Sequence, residues 1–149
     1  IIRQESEFDT SAHSSAGAKG LMQLMTYTAR TVAKQAKIPY SKRKLTNNPE
    51  YNINLGSFYI AGLLLEYDGS YPFAIAAYNA GPKRVKHWKK INKNPQKKQV
   101  DYVNWIELIK FNETRNYVQR VLENYNVYRY ILEKKPVKMK NFFINDPLY

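Results

Sequence analysis

The chain has 149 residues, 44% of them hydrophobic, which is enough for one sizeable core and too apolar for a disordered basic tail. Twenty-four Lys and Arg against twelve Asp and Glu give a net charge of +12, which points to an anionic partner without naming it. There is no Cys, so disulfide frameworks, thiolate metal sites and Cys nucleophiles are excluded. No apolar run reaches the ~18 residues a membrane span needs, because the longest, Phe58 to Leu65, is interrupted by Gly62.

Ile1-Ile2-Arg3-Gln4-Glu5 reads as helix interior with no Met or cap ahead of it, so the chain is expected to start within a helix of a longer protein. Thr26 is expected to cap a helix from Tyr27 to Ala36, with Pro39 beyond its end. Asn48-Pro49-Glu50 combines a cap, a Pro at the first helical position and an acid in the first turn. That helix should run to Tyr67 and stop at Gly69, and Leu55, Phe58, Tyr59, Leu63 and Leu65 make it apolar on most sides, as a buried central helix would be. Ser70 and Pro72 start a helix over Phe73–Asn79, ended by Gly81-Pro82, and Lys83–Lys90 forms a short basic one. Lys93–Gln99 reads as an exposed loop, and Asp101 as the cap of a helix through Ile109. Asn112 is expected to cap a long helix from Glu113 to about Lys134, ended by Pro136, with Tyr117, Val121, Tyr125, Tyr128 and Leu132 as its core stripe. Residues 137–149 are basic and then aromatic, either a docked tail or a linker. No alternating strand pattern occurs, so the fold is read as all-α.

The chemistry-bearing residues fall in two clusters. Glu5, Glu7 and Asp9 precede a stretch rich in small residues, Ala12, Ser14, Ser15, Ala16, Gly17, Ala18 and Gly20. A carboxylic acid at a helix end against such a wall can be partly desolvated and donate a proton near neutral pH, but on pattern alone three acids in five residues suit a solvated face better. Asp9 suits a turn after the first helix better than a second catalytic carboxylate. Ala76-Ala77-Tyr78-Asn79-Ala80-Gly81-Pro82 is a helix end whose Gly and Pro are explained by capping, while Tyr78 and Asn79 offer polar tips suited to a sugar hydroxyl or N-acetyl group. His13 and His87 are isolated, so no metal or other cofactor is expected.

Glu5-Ser6, Gly20-Leu21-Met22-Gln23, Ala77-Tyr78-Asn79-Ala80-Gly81 and Glu113-Thr114-Arg115-Asn116-Tyr117-Val118, in this order and spacing, resemble the soluble lytic transglycosylase domain of bacterial cell walls. The likeness covers about residues 1–132, leaving 133–149 as a C-terminal tail. It implies a goose-lysozyme-like helical fold with a substrate cleft, and a reaction that splits the bond between N-acetylmuramic acid and N-acetylglucosamine without water. Glu5 matches the single catalytic acid and base, and Ser14 a serine near the reacting sugar. Met22, Gln23 and Met25 match cleft-lining residues, Tyr78 and Asn79 the wall facing the acid, and Glu113 and Tyr117 the fourth motif. Two prolines usual in the family are replaced, by Thr26 and Lys110, which affects local geometry rather than activity. The resemblance further implies peptidoglycan as partner, a monomer, and a periplasmic or cell-envelope location. A lysozyme-type hydrolase is the main competing reading. A basic nucleic-acid-binding module is the second, suggested by the Lys83–Lys98 run but leaving the motifs around Glu5 and Tyr78 without purpose. An inactive wall-binding domain is the third.

Overall fold

The computed structural model describes residues 1–134, 138, 142 and 143. Among the described residues the chain is helical, with only isolated bridges at His13–Lys19 and Lys19–Leu24 in place of strands. It divides into two compact units, Ile1–Gly62 and Leu63–Tyr149.

The first unit opens with α1 (Ile2–Ser6), which stops abruptly because Glu7 and Phe8 take left-handed backbone angles, φ +50° and +71°. A loop over residues 7–25 leads to α2 (Thr26–Gln35), which buries Ala29, Val32 and Ala33. Thr26 is not the cap of this helix but its first residue, and the capping position belongs to Met25, in extended conformation with no side-chain bond. The reason lies just upstream. Lys19 and Leu24 exchange backbone hydrogen bonds of 3.1 Å in both directions, which holds the chain extended as it approaches Met25. A short α3 (Lys44–Asn47) precedes α4 (Pro49–Glu66). Here the expected start holds, since the Asn48 side chain accepts the Tyr51 N–H at 2.9 Å. The expected stop holds as well, because Gly69 at φ +78° donates its N–H to Leu64 O at 2.8 Å.

α4 is less buried than its composition suggests. Leu55 and Leu63 are enclosed, yet Phe58 is 43% and Leu65 82% exposed. The buried positions Asn52, Leu55, Gly56 and Leu63 follow helical spacing, so the helix packs on one side although it is apolar on several.

In the second unit α5 (Tyr71–Ala80) starts two residues earlier than predicted, with Pro72 in its first turn, and packs against α6 (Pro82–Ile91) and α8 (Asn112–Glu133). The unit's centre is aromatic. Phe73 is fully buried and meets Trp105 edge-on at 4.6 Å, Tyr102 at 5.3 Å and Tyr67 at 5.8 Å. The loop read as exposed is partly built in: Pro95 is buried, and Gln96 donates to Tyr67 O and accepts from Lys89 Nζ, each at 2.8 Å. The Lys89 ammonium lies 4.6 Å from the centre of the Phe73 ring, and burial pulls its pKa down. Asp101 caps α7 (Tyr102–Glu107) as predicted, accepting Asn104 N–H at 2.8 Å, but the helix ends two residues before Ile109.

α8 ends at Glu133, as expected, but departs from expectation at its start and in its burial. Asn112 lies within the helix, the capping position is Phe111, and the Asn112 side chain accepts from Arg115 at 2.9 Å instead of from the backbone. The core stripe holds for Tyr117 and Val121, joined by Thr114, Val118 and Leu122, and then fades: Tyr125 and Tyr128 are half-buried and Leu132 is 78% exposed. A helix of 22 residues outruns the ten of α5 against which it packs. Pro136 and most of the tail lie outside the described residues. Phe142 and Phe143 are buried, Phe142 edge-on to Tyr71 and Tyr125, and Phe143 stacked on Tyr102 at 5.6 Å, so the tail is docked at these two positions.

Candidate active site

Glu5 is half-buried in the last turn of α1, where the helix breaks into the 7–25 loop. Its neighbour Ser6 is turned inward. The Ser6 hydroxyl donates to Leu21 O at 2.9 Å, with a longer approach to Ile2 O at 3.3 Å. The residue after Glu5 thereby ties α1 to the Gly-Leu-Met-Gln segment.

That segment is held from several directions. Gln23, at φ +45°, sends its side-chain amide back to Gly20 O at 2.9 Å and Ala12 O at 3.1 Å. Ser14 organises the preceding turn, its hydroxyl accepting Ala18 N–H at 2.9 Å while its carbonyl accepts Gly17 N–H. Met22 is buried and packs on Gly56, where an added Cβ would come 2.3 Å from the Met22 sulphur. Met25 is 44% exposed. Ser14, Gln23 and Met22 therefore hold the shape of the loop that Ser6 ties to α1, and Met25 is exposed.

Gly20 explains why the motif needs glycine at this position. Its φ is +71°, and a Cβ there would fall 1.9 Å from Leu45 O and 2.5 Å from the Asn52 amide nitrogen. Left-handed backbone at a non-glycine residue costs about 1–3 kcal/mol before the overlap is counted. Gly20→Ala is thus expected to lower the stability by at least that range and to reduce turnover through displacement of the loop, as measured by thermal unfolding and a cleavage assay.

Asp9 is committed to its turn. Its carboxylate accepts the Ser11 hydroxyl at 2.7 Å and the Ser11 N–H at 2.8 Å, which holds its pKa below the usual 3.8. A depressed carboxylate pKa stabilises the fold above the unfolded value, and the contribution is lost as pH falls through the folded one. Asp9 is exposed, so this effect is small. Asp9→Asn should leave turnover close to wild type, whereas a base activating water would lose ~10²-fold or more.

In the second unit Tyr78 and Asn79 are half-buried at the end of α5. Asn79 accepts the Thr114 hydroxyl at 2.7 Å, which joins the end of α5 to the start of α8. Beside this pair lies an open pocket of about 430 Å³ lined by Asn79, Ala80, Arg84, Phe111, Asn112, Glu113 and Thr114. The Arg84 guanidinium sits 4.3 Å from the centre of the Phe111 ring, and Trp88 meets that ring edge-on. Glu113 is exposed at the pocket, whereas Tyr117 is buried on the core side of α8. Sequence reading passed over Asn52 and Thr114. Nothing marks Asn52, which lies among Asn48, Glu50, Asn54 and Ser57, and nothing marks Thr114 apart from its neighbours. Among the described residues no three of His, Cys, Asp or Glu gather to hold a metal ion.

Among the described residues the fold is all-α, and its structural neighbours make it lysozyme-like. The comparisons narrow the class. The pattern of the family described as "Transglycosylase SLT domain" matches residues 1–100, and the chain belongs to that family. It is 40% identical over 140 residues to the soluble lytic murein transglycosylase of Escherichia coli strain K12, covering 93% of this chain and 21% of that protein. The crystal structure of the 70 kDa soluble lytic transglycosylase from Escherichia coli superposes with a TM-score of 0.87 at 37% identity, over 98% of this chain and 23% of that one. An inactive glutamate-to-glutamine mutant of the lytic transglycosylase Slt from Pseudomonas aeruginosa gives 0.84 at 38% identity, over 98% of this chain and 23% of that one. The chain thus spans about a fifth of the length of the curated relatives.

Proposed function

We propose that the protein is a peptidoglycan lytic transglycosylase acting in the bacterial cell envelope, with Glu5 as its sole general acid and base. The supporting observation is the contrast between two carboxylates four positions apart. Glu5 is half-buried at a helix end that Ser6 ties to the 7–25 loop, and Asp9 is exposed and bound up in a turn. Glycoside hydrolysis ordinarily uses two carboxylates. Here the substrate supplies what the second would do.

Glu5 protonates the glycosidic oxygen as its bond to the muramic C1 breaks. The substrate's 2-acetamido oxygen stabilises the cationic centre. The same Glu5, now ionised, takes the proton of the muramic C6 hydroxyl as that oxygen attacks C1 and closes the 1,6-anhydro ring. No water is consumed, so the site must hold the C6 hydroxyl nearer to C1 than any water. We assign sugar contact to Met25 in the first unit and to Tyr78, Asn79 and Glu113 in the second, and the support of these residues to Ser14, Met22 and Gln23 in the first and to Tyr117 in the second. The glutamate-to-glutamine change in the inactive Pseudomonas aeruginosa relative supports the role given to Glu5. The names of the murein-cleaving relatives support the substrate and the envelope.

The test is mass spectrometry of digested peptidoglycan. Transglycosylation leaves anhydro ends one water lighter than the reducing ends of hydrolysis, and a digest containing only reducing ends would replace this reading with the hydrolase.

A further inference from the structure

We propose that Asn52 is a positioning residue for the reaction of Glu5, acting through the Leu21–Met22 peptide group; this rests on Glu5 being the acid and base. The two edges of that one peptide are held by different side chains. Its carbonyl, Leu21 O, accepts from Ser6 at 2.9 Å, and its N–H, on Met22, donates to Asn52 Oδ1 at 2.8 Å. A peptide group is a rigid plane, so anchors on both edges fix its orientation. Ser6 follows Glu5 directly in α1, which leaves Asn52 one plane and two hydrogen bonds away from the backbone of the catalytic residue.

Asn52 is suited to the task because every polar group on it is used. Its amide nitrogen donates to Leu45 O at 2.9 Å and Lys19 O at 3.0 Å, and the residue is 1% exposed. An amide offers two donors and an acceptor on one rigid fork, and no other side chain of that size does. Asp would keep the bond to Met22 but lose both donors, and Ala would lose all three. Either change frees the Leu21–Met22 plane to tilt, shifting the acceptor of Ser6 and with it the end of α1. A displacement near 1 Å at a reacting group costs about 10²-fold in rate. A loosened wall also admits water to compete with the C6 hydroxyl.

The experiment compares Asn52→Ala, Asn52→Asp and Ser6→Ala, singly and with Ser6→Ala combined with each Asn52 change. Turnover, KM and the ratio of anhydro to reducing ends are measured per folded molecule. Asn52→Asp serves where Asn52→Ala fails to fold, and Val32→Ala, a buried truncation in α2, is the control for lost stability alone. The expected result is a kcat about 10²-fold lower with KM little changed. The share of reducing ends rises, and the double variants lose less than the product of the single losses because both residues hold one plane. The Val32→Ala protein keeps the wild-type ratio. An unchanged kcat and product ratio in the Asn52 variants, or losses that multiply with that of Ser6→Ala, would overturn the role of Asn52. An active Glu5→Gln protein would instead overturn the reading on which it rests, so the two failures are told apart.

Discussion

Glu5→Gln is expected to fold like the wild type and to cleave peptidoglycan about 10⁴-fold more slowly. The glutamine keeps the shape of the carboxyl group, so α1, the Ser6 bond to Leu21 and the loop beyond it stay in place. It can neither give a proton to the glycosidic oxygen nor take one from the C6 hydroxyl. General acid–base help is worth about 10² to 10⁴, and the upper end is expected where one group serves both halves of a reaction. Substrate affinity should persist, because the surfaces assigned to sugar binding are carried by other residues. The measurement is single-turnover cleavage of purified glycan strands, with co-sedimentation on peptidoglycan as the binding readout. Turnover within tenfold of wild type would remove Glu5 from its role.

Phe73→Ala gives the largest expected loss of stability, about 3–5 kcal/mol. The ring is fully buried and touched by Trp105, Tyr102 and Tyr67, with the Lys89 ammonium near its face. Four partners, two from α7, one from α6 and one just after α4, converge on this one side chain, so no single neighbour can move in to fill the space. For a protein of this size the thermal midpoint should fall by roughly 10–15 °C, measured by circular dichroism or calorimetry. Phe73→Leu keeps most of the volume and should cost less than half as much. A midpoint shift as small for Ala as for Leu would mean that the aromatic cluster relaxes around the gap.

The parts of this structure that were readable in the sequence are those where one residue type has one use. Asn48 before Pro49, Asp101 before a short helix, Gly69 at φ +78° and Gly81 before Pro82 each mark a helix boundary through local chemistry alone. Thr26 and Asn112 misled because a small polar residue suits the first helical position as well as the cap, and the decision came from elsewhere. The Lys19–Leu24 pairing displaced one boundary, and in the other the Arg115 guanidinium claimed the Asn112 oxygen. Burial was overread in α4 and α8 for a related reason: apolar spacing shows which face could be covered, but not how far the neighbours extend, so Leu65 and Leu132 remain exposed. The site divides the same way. Glu5 was singled out by the four motifs in register, since three acids beside small residues suit a solvated face better, whereas the bonds of Ser6, Asn52 and Thr114 reach partners 15, 30 and 35 positions away, which no local pattern carries.

Gly81 closes α5 and opens α6 with no residue between them, at φ +89° and ψ 149°, a combination that almost only glycine adopts. Its N–H goes back to Ala77 O, and Tyr67 donates its hydroxyl to Pro82 O on the other side. The joint therefore has no slack. One inserted residue would rotate everything beyond it by about 100°, carrying Arg84 off Phe111 and Val85 and Trp88 out of the core. From Tyr71 to Ile91 the length of the chain is fixed even where its exposed residues can change, and insertions should accumulate in the segments on either side of that span.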